Sequence, residues 1–366
     1  MQFELDRDQL IAFTTPQIAP GQQALMIAAL EEAGVYTTPI STALIDIRSA
    51  FVLPGADVDA GGVDALVFKT DTNLDLNIHD SGGSGHGAIV ATGHGDDTLV
   101  NHASGAMLLS GYGDDVLSTT VGDTLFFSGK GDDYFPASEL GGNVLFAGCG
   151  ADVMEGSKVY SEGDTIFYDY FIGGFGADSI TSLAGGAAVV GIGGQGGDSL
   201  VAEGAASLFG GFGDDVISSG SDYNLLAGNA GNDSMSAEAN AIMYGGYGND
   251  SMVSGSGSNQ LYGGQGNDTL VSYSGPDATG TTSLYGGAGD DIFGIMPGAT
   301  ATHSISGDDG YDTLYLPGRS ASDAFVTYDA DQGLYSIYFS DQTLYVTGVE
   351  LFVLDDGAYA TPLPIG

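Results

Sequence analysis

The sequence predicts an all-β fold: a parallel β-roll of about 18 residues per coil, with a small N-terminal α+β cap and a C-terminal β cap. Three observations predict it. A glycine-rich phrase ending in Asp returns at nearly fixed spacing. Two large apolar residues recur at fixed offsets from that Asp. The two offsets lie nine residues apart, half of one repeat.

The phrase is clearest as Gly-Gly-Phe-Gly-Asp-Asp at 210–215, Gly-Gly-Tyr-Gly-Asn-Asp at 245–250 and Gly-Gly-Gln-Gly-Asn-Asp at 263–268. A weaker copy at 228–233 replaces its second Gly by Asn229, a residue that tolerates a left-handed backbone. Aligned on the last Asp, the anchors are Asp97, Asp115, Asp133, Asp152, Asp178, Asp198, Asp215, Asp233, Asp250, Asp268, Asp291 and Asp312. They are separated by 18, 18, 19, 26, 20, 17, 18, 17, 18, 23 and 21 residues.

Residues 1–80 lack the phrase. Gln22 to Ala33 reads as a helix of good helix formers stopped by Gly34. Ala43 to Leu53 and Val63 to Ile78 read as extended, the second with Leu66, Phe68, Leu74, Leu76 and Ile78 alternating with polar neighbours. This segment is expected to cap or assemble the roll, with a separate binding domain as the alternative.

Residues 81–316 carry the period. Two places after each anchor stand Leu99, Leu117, Phe135, Met154, Ile180, Leu200, Ile217, Met235, Met252, Leu270, Phe293 and Leu314. Seven places before it stand Leu108, Phe126, Leu145, Phe171, Leu208, Leu226, Met243, Leu261 and Leu284. Each unit therefore holds two short strands, each with one large apolar side chain inward, and stacked coils hydrogen-bond about 4.8 Å apart. Residues 317–366 leave the repeat, with strands expected at 325–328, 334–339 and 343–346.

Composition narrows the chemistry. There are 48 acidic residues against 6 basic ones, a formal net charge of −42. Nucleic acid and anionic membranes are excluded as partners. Regularly spaced carboxylates and carbonyls suit a hard divalent cation, and calcium, which accepts six to eight oxygens, fits best. A hydrophobic content of 43% argues against disorder. Cys149 is the single cysteine, so no internal disulfide forms. The acidic start, Met1 to Leu10, lacks the pattern of a secretory signal, and no apolar stretch is long enough to span a bilayer.

The phrase Gly-Gly-x-Gly-(Asp/Asn)-Asp-x-(Leu/Ile/Met)-x resembles the nonapeptide of the repeats-in-toxin (RTX) proteins over roughly 81–316. The resemblance implies calcium held between successive coils by the anchor Asp carboxylates and by turn carbonyls, here those of Gly211, Gly213, Gly246, Gly248, Gly264, Gly266, Gly287 and Gly289. Val349 to Gly357 resembles the C-terminal flank of that family, whose uncleaved tail is read by type I secretion machinery. The resemblance thus implies a bacterial, extracellular or cell-surface protein.

The sequence departs from the family's nine-residue recurrence. Nine places before the anchors stand Ala106, Thr124, Asn143, Asp169, Val189, Ala206, Asn224, Ala241, Asn259 and Thr282, and only Asp169 could be a ligand. One calcium row on one edge is expected, and twelve anchors leave at most eleven sites between neighbours. Asp250→Ala should then move the midpoint of calcium-induced folding, and Asn259→Ala should barely do so. Carboxylates about 5 Å apart repel by roughly 1 kcal/mol in water, so the roll should fold only with metal.

Six places before the anchors, Phe127, Phe146, Phe209, Tyr244, Tyr262 and Tyr285 are expected to form an outward aromatic ladder. His86, His94 and His102 are out of phase with the half-coil and should not converge. Neither His-Glu-x-x-His nor Gly-x-Ser-x-Gly occurs, and Gly191 to Gly196 matches a dinucleotide fingerprint only by its turn glycines. The expectation is a non-enzymatic, calcium-binding structural protein that assembles into a surface layer, fibre or biofilm matrix as a homo-oligomer or polymer. The alternative is a calcium-dependent adhesin for surface polysaccharide or a host surface.

Overall fold

The computed structural model describes residues 45–48, 56–59, 65–68, 73–79, 89–158, 161–162, 165–166, 168–273, 280–298 and 301–361. The chain divides into two compact units, Met1–Gln195 and Gly196–Gly366. The helix expected at 22–33 lies outside the described residues.

The first unit is a parallel β-solenoid. On one side Ile45–Arg48, Ala65–Phe68, Ile89–Ala91, Met107–Tyr112, Leu125–Lys130, Val144–Cys149, Tyr168–Phe175 and Ala188–Gln195 pair in parallel, each with the next coil's strand. On the other, Ala56–Asp59, Asp75–His79, Thr98–Asn101, Val116–Thr119, Tyr134–Phe135, Val153–Glu155 and Ser179–Ser182 do the same. The segment read as one extended run, 63–78, is instead two strands on opposite sides, Ala65–Phe68 and Asp75–His79. Each side of a coil needs only one large inward residue, so Phe68 and Leu76, both buried, serve different sheets. The parallel ladder is already running before residue 80, so the expected boundary at 80/81 falls inside it.

The second unit repeats the arrangement. Ala206–Phe212, Leu225–Ala230, Ile242–Tyr247, Gln260–Gln265, Thr281–Ala288 and Ala301–Asp309 form one parallel ladder. Ser199–Ala202, Val216–Ser219, Ser234–Ala239, Ser251–Ser256, Thr269–Ser272, Ile292–Ile295 and Thr313–Leu316 form the other. The C-terminal strands Phe325–Asp329, Leu334–Tyr338 and Gln342–Thr347 form an antiparallel meander, as expected. Gln342–Thr347 and Leu351–Leu354 add one more parallel coil, and Gly357–Ala360 folds back antiparallel on the latter.

Both expected apolar rows are the core. Leu99, Met154, Ile180, Leu200, Ile217, Met252, Leu270 and Phe293 are fully buried, as are Leu108, Leu208, Leu226, Met243, Leu261 and Leu284. Each such side chain contributes about 1.5–3 kcal/mol by leaving water.

Candidate metal centre

On one edge of each unit the coils are joined through their anchor aspartates, all buried. In the first unit the Leu74 N–H donates to Asp97 Oδ1 at 2.7 Å, Asp97 N–H to Asp115 Oδ1 at 2.7 Å, and Asp115 N–H to Asp133 Oδ1 at 2.8 Å. The ladder continues through Asp152 to Asp178. In the second unit it runs from Asp198 N–H through Asp215, Asp233, Asp250, Asp268 and Asp291 to Asp312, with distances of 2.7–2.8 Å. It ends where Asp312 N–H donates to Glu350 Oε2 at 2.8 Å.

The two ends were not apparent in the glycine pattern. Leu74 and Glu350 each stand two places before a buried apolar residue, Leu76 and Phe352, as every anchor does. That offset, rather than the glycines, is the signal that finds them.

Outside this row runs a second, solvent-exposed ladder of opposite polarity. Where the residue before an anchor is Asp or Asn, it accepts from the next coil: Asp114 N–H donates to Asp96 Oδ1, Asp132 N–H to Asp114 Oδ1, Asn249 N–H to Asn232 Oδ1 and Asn267 N–H to Asn249 Oδ1. These coils are thus tied to their neighbours by two side-chain bonds at this edge.

In ten of the anchors one carboxylate oxygen is satisfied in this way and the other is not. Oδ2 of Asp97, Asp115, Asp133, Asp152, Asp215, Asp233, Asp250, Asp268, Asp291 and Asp312 is buried with no hydrogen-bond partner. Burial pushes these carboxyls up, to about 8 for Asp115 and Asp152, about 7 for Asp133, Asp215 and Asp268, and about 6 for Asp233, Asp291 and Asp312. Neighbouring anchors raise several of them further. A bare buried carboxylate costs several kcal/mol, comparable to what one coil gains from its two core residues. A proton or a cation relieves that cost, and bare carboxylate oxygens among carbonyls suit calcium. Among the described residues no three acidic, His or Cys side chains converge. Most ligands would therefore come from the backbone.

The turn glycines make that backbone available. Gly211, Gly213, Gly246, Gly248, Gly264, Gly266, Gly287 and Gly289 all have φ between 111° and 133°, a region L side chains avoid. A Cβ on Gly246 would strike the Asn229 carbonyl, and one on Gly264 the Gly246 carbonyl. Carbonyls of successive turns thus stack directly on each other.

The opposite edge is built from amides. Thr124 N–H donates to Asn143 Oδ1 at 3.2 Å, Ala206 N–H to Asn224 Oδ1 at 2.7 Å and Ala241 N–H to Asn259 Oδ1 at 2.8 Å. Each Nδ2 then donates locally: Asn143 to the Leu140 carbonyl, Asn224 to Ser219 Oγ and Asn259 to the Ser256 carbonyl. Asp169 also sits here, but both its oxygens accept backbone N–H groups, from Asn143 at 3.0 Å and Ser157 at 2.8 Å. It needs no cation.

The family model of the RTX calcium-binding nonapeptide repeat, in four copies, matches residues 209–241, 244–278 and 280–293. Residues 209–293 thus match RTX calcium-binding repeats. Among solved structures it is similar to a hyperactive, Ca2+-dependent, β-helical antifreeze protein from an Antarctic bacterium. The identity is 17% and the TM-score 0.49, with 81% of this chain and 96% of that chain covered. A comparison with curated proteins finds no match.

Around the RTX repeats the aromatic side chains differ from expectation. Tyr244, Tyr262 and Tyr285 do form an outward stack, with ring centroids 4.9 and 4.8 Å apart. Their faces cover one another, so the ladder presents ring edges and hydroxyls. Phe127 and Phe146 hold the same strand position and stack at 4.9 Å, but they are buried rather than exposed. His94 stacks on Tyr112 and His102 on His79, and His102 Nδ1 lies 2.7 Å from Thr120 Oγ1. His86 lies outside the described residues.

Proposed function

We propose that this chain is a secreted structural protein that folds on extracellular calcium and assembles with copies of itself into a surface layer, fibre or biofilm matrix. The row of buried, unpartnered Oδ2 atoms along one edge supports the reading. The anchor aspartates and turn carbonyls would hold up to about eleven ions. Calcium supplies the positive charge that offsets desolvation of the carboxylates. The chain's own residues supply the rest: Oδ1 fixes each anchor to the coil before it, and the glycine turns let carbonyls approach.

A chain of net charge −42 with bare carboxylates stays open where calcium is scarce, as in a cytosol, and closes where it is abundant. That suits export by type I machinery before folding. A structural role follows from how little of the described chain is anything but scaffold, since parallel coils occur from Ile45–Arg48 to Leu351–Leu354. Imaging of purified protein with and without millimolar calcium tests the proposal. Ordered fibres or sheets in calcium are expected; a strictly monomeric particle at high concentration would sink the assembly and favour an adhesin.

A further inference from the structure

The RTX phrase carries glycine at three places, and the structure gives them different reasons. Those two and four places before the anchor, such as Gly248 and Gly246, have φ of 123° and 118° and are demanded by the backbone. The glycine five places before the anchor is not in that region. What its missing Cβ leaves is room. A Cβ on Gly245 would strike Asp250 Oδ2 and the carbonyl oxygen of Gly263. A Cβ on Gly263 would strike Asp268 Oδ2 and the carbonyl oxygen of Gly286. Two oxygens, one a buried carboxylate oxygen with no donor, thus face one vacant spot in each of these coils. Oxygens without a proton between them repel, and a cation is what relieves the contact.

Four coils of the first unit fill the same spot, whereas Gly173, five places before Asp178, leaves it open. Thr92, Ser110, Ser128 and Ala147 stand five places before Asp97, Asp115, Asp133 and Asp152. Their hydroxyls donate along the row: Thr92 Oγ1 to the Ser110 carbonyl at 2.8 Å, Ser110 Oγ to the Ser128 carbonyl at 3.1 Å, and Ser128 Oγ to the Ala147 carbonyl at 2.6 Å. Oδ2 of Asp115 and Asp133 still lacks a well-formed hydrogen bond, although the Ser110 and Ser128 hydroxyls also interact with these carboxyls, as no glycine can. The difference lies in the rest of the shell. Here the carbonyl is taken by a hydroxyl, and a methylene occupies the space.

We infer that the residue five places before the anchor selects which coils take calcium. Coils with glycine there, from Gly173 to Gly307, bind an ion; those of Thr92, Ser110, Ser128 and Ala147 stay metal-free, held by hydroxyls and packing. The ion count is then well below eleven, with the calcium confined to the later coils. This rests on the proposal that the anchor edge binds calcium.

Calorimetric titration of the full chain with calcium tests it, with circular dichroism at saturating calcium to check the fold. Gly263→Ser should lose one or two ions per chain, and Ser110→Gly with Ser128→Gly should gain at least one. Unchanged stoichiometry in both variants, in a wild type that does bind calcium, overturns the inference. Should Gly263→Ser fail to fold, the serine-to-glycine variant decides alone: a gain supports the inference and no gain overturns it. A wild type that takes up no calcium overturns the parent proposal instead.

Discussion

Asp250 and Asn259 stand nine residues apart on opposite edges of the same coil, both buried. Each uses Oδ1 to accept a backbone N–H from a neighbouring coil, at 2.8 Å from Asp233 to Asp250 and at 2.8 Å from Ala241 to Asn259. They differ in the second polar atom. Asn259 has an amide that donates to the carbonyls of Gly255 and Ser256. Asp250 has a bare oxygen. Replacing NH2 by O turns a self-sufficient turn into one that a proton or a cation can complete, and the two edges of the coil differ accordingly.

The largest expected effect comes from removing calcium. In chelator at pH 7.5 the β-sheet circular dichroism should collapse and return when calcium is added. Strands that persist unchanged in chelator would break the comparison, because the anchor edge would then be as self-sufficient as the other.

Next come the swaps across the edges. Asn259→Asp places a second bare oxygen against the Gly255 and Ser256 carbonyls and should cost about 3 kcal/mol or more in denaturant unfolding. Asn259→Ala should cost about 1–3 kcal/mol at any calcium level, because a buried donor and acceptor lose their partners. The sequence-based expectation of a small effect at this position concerned the calcium midpoint alone. Asn259 is nevertheless silent toward calcium if the cost does not change with calcium concentration.

A smaller effect is expected at the anchor itself. Asp250→Ala should raise the calcium needed for half-folding by roughly tenfold, about 1.4 kcal/mol. Asp250→Asn should sit between Ala and wild type, since it keeps the bond to Asp233 N–H. Equal shifts from Asp250→Ala and Asn259→Ala in a calcium titration would remove the distinction between the edges.

The smallest is an acid effect in chelator. Eight of the anchor carboxyls have folded pKa values raised from 3.8 to about 6–8, as in Asp233 at about 6 and Asp115 at about 8. A raised folded value means the folded chain binds protons more tightly. The stabilisation is full below the unfolded value near 4 and is lost as pH rises through 6 to 8. Metal-free protein should therefore recover part of its β signal between pH 8 and pH 5. In calcium the sign reverses, because protons compete with the metal, and the calcium midpoint should rise as pH falls.

Much of this was legible from the spacing alone. The apolar rows at Leu99 or Met252 and the anchor row follow from an 18-residue period, since a side chain that repeats with the coil must repeat its environment. The ends of the ladder were not, because Leu74 and Glu350 carry the anchor's role without its glycine turn. Nor was the burial of Phe127 and Phe146, which depends on what else covers that face. The expectation that Asp169 could be a ligand failed to foresee its two backbone donors, which come from residues 26 and 12 positions earlier in the chain.

The sequence by itself determined the period, the inward rows and which edge carries carboxylates, because these are properties of a repeat and of residue type. Only the tertiary structure decided which oxygens are left bare. Whether a carboxylate oxygen meets a donor, a hydroxyl or an open space depends on atoms from neighbouring coils and on the side chain five places back. Those atoms are brought together by stacking, and no offset along one coil records their distance.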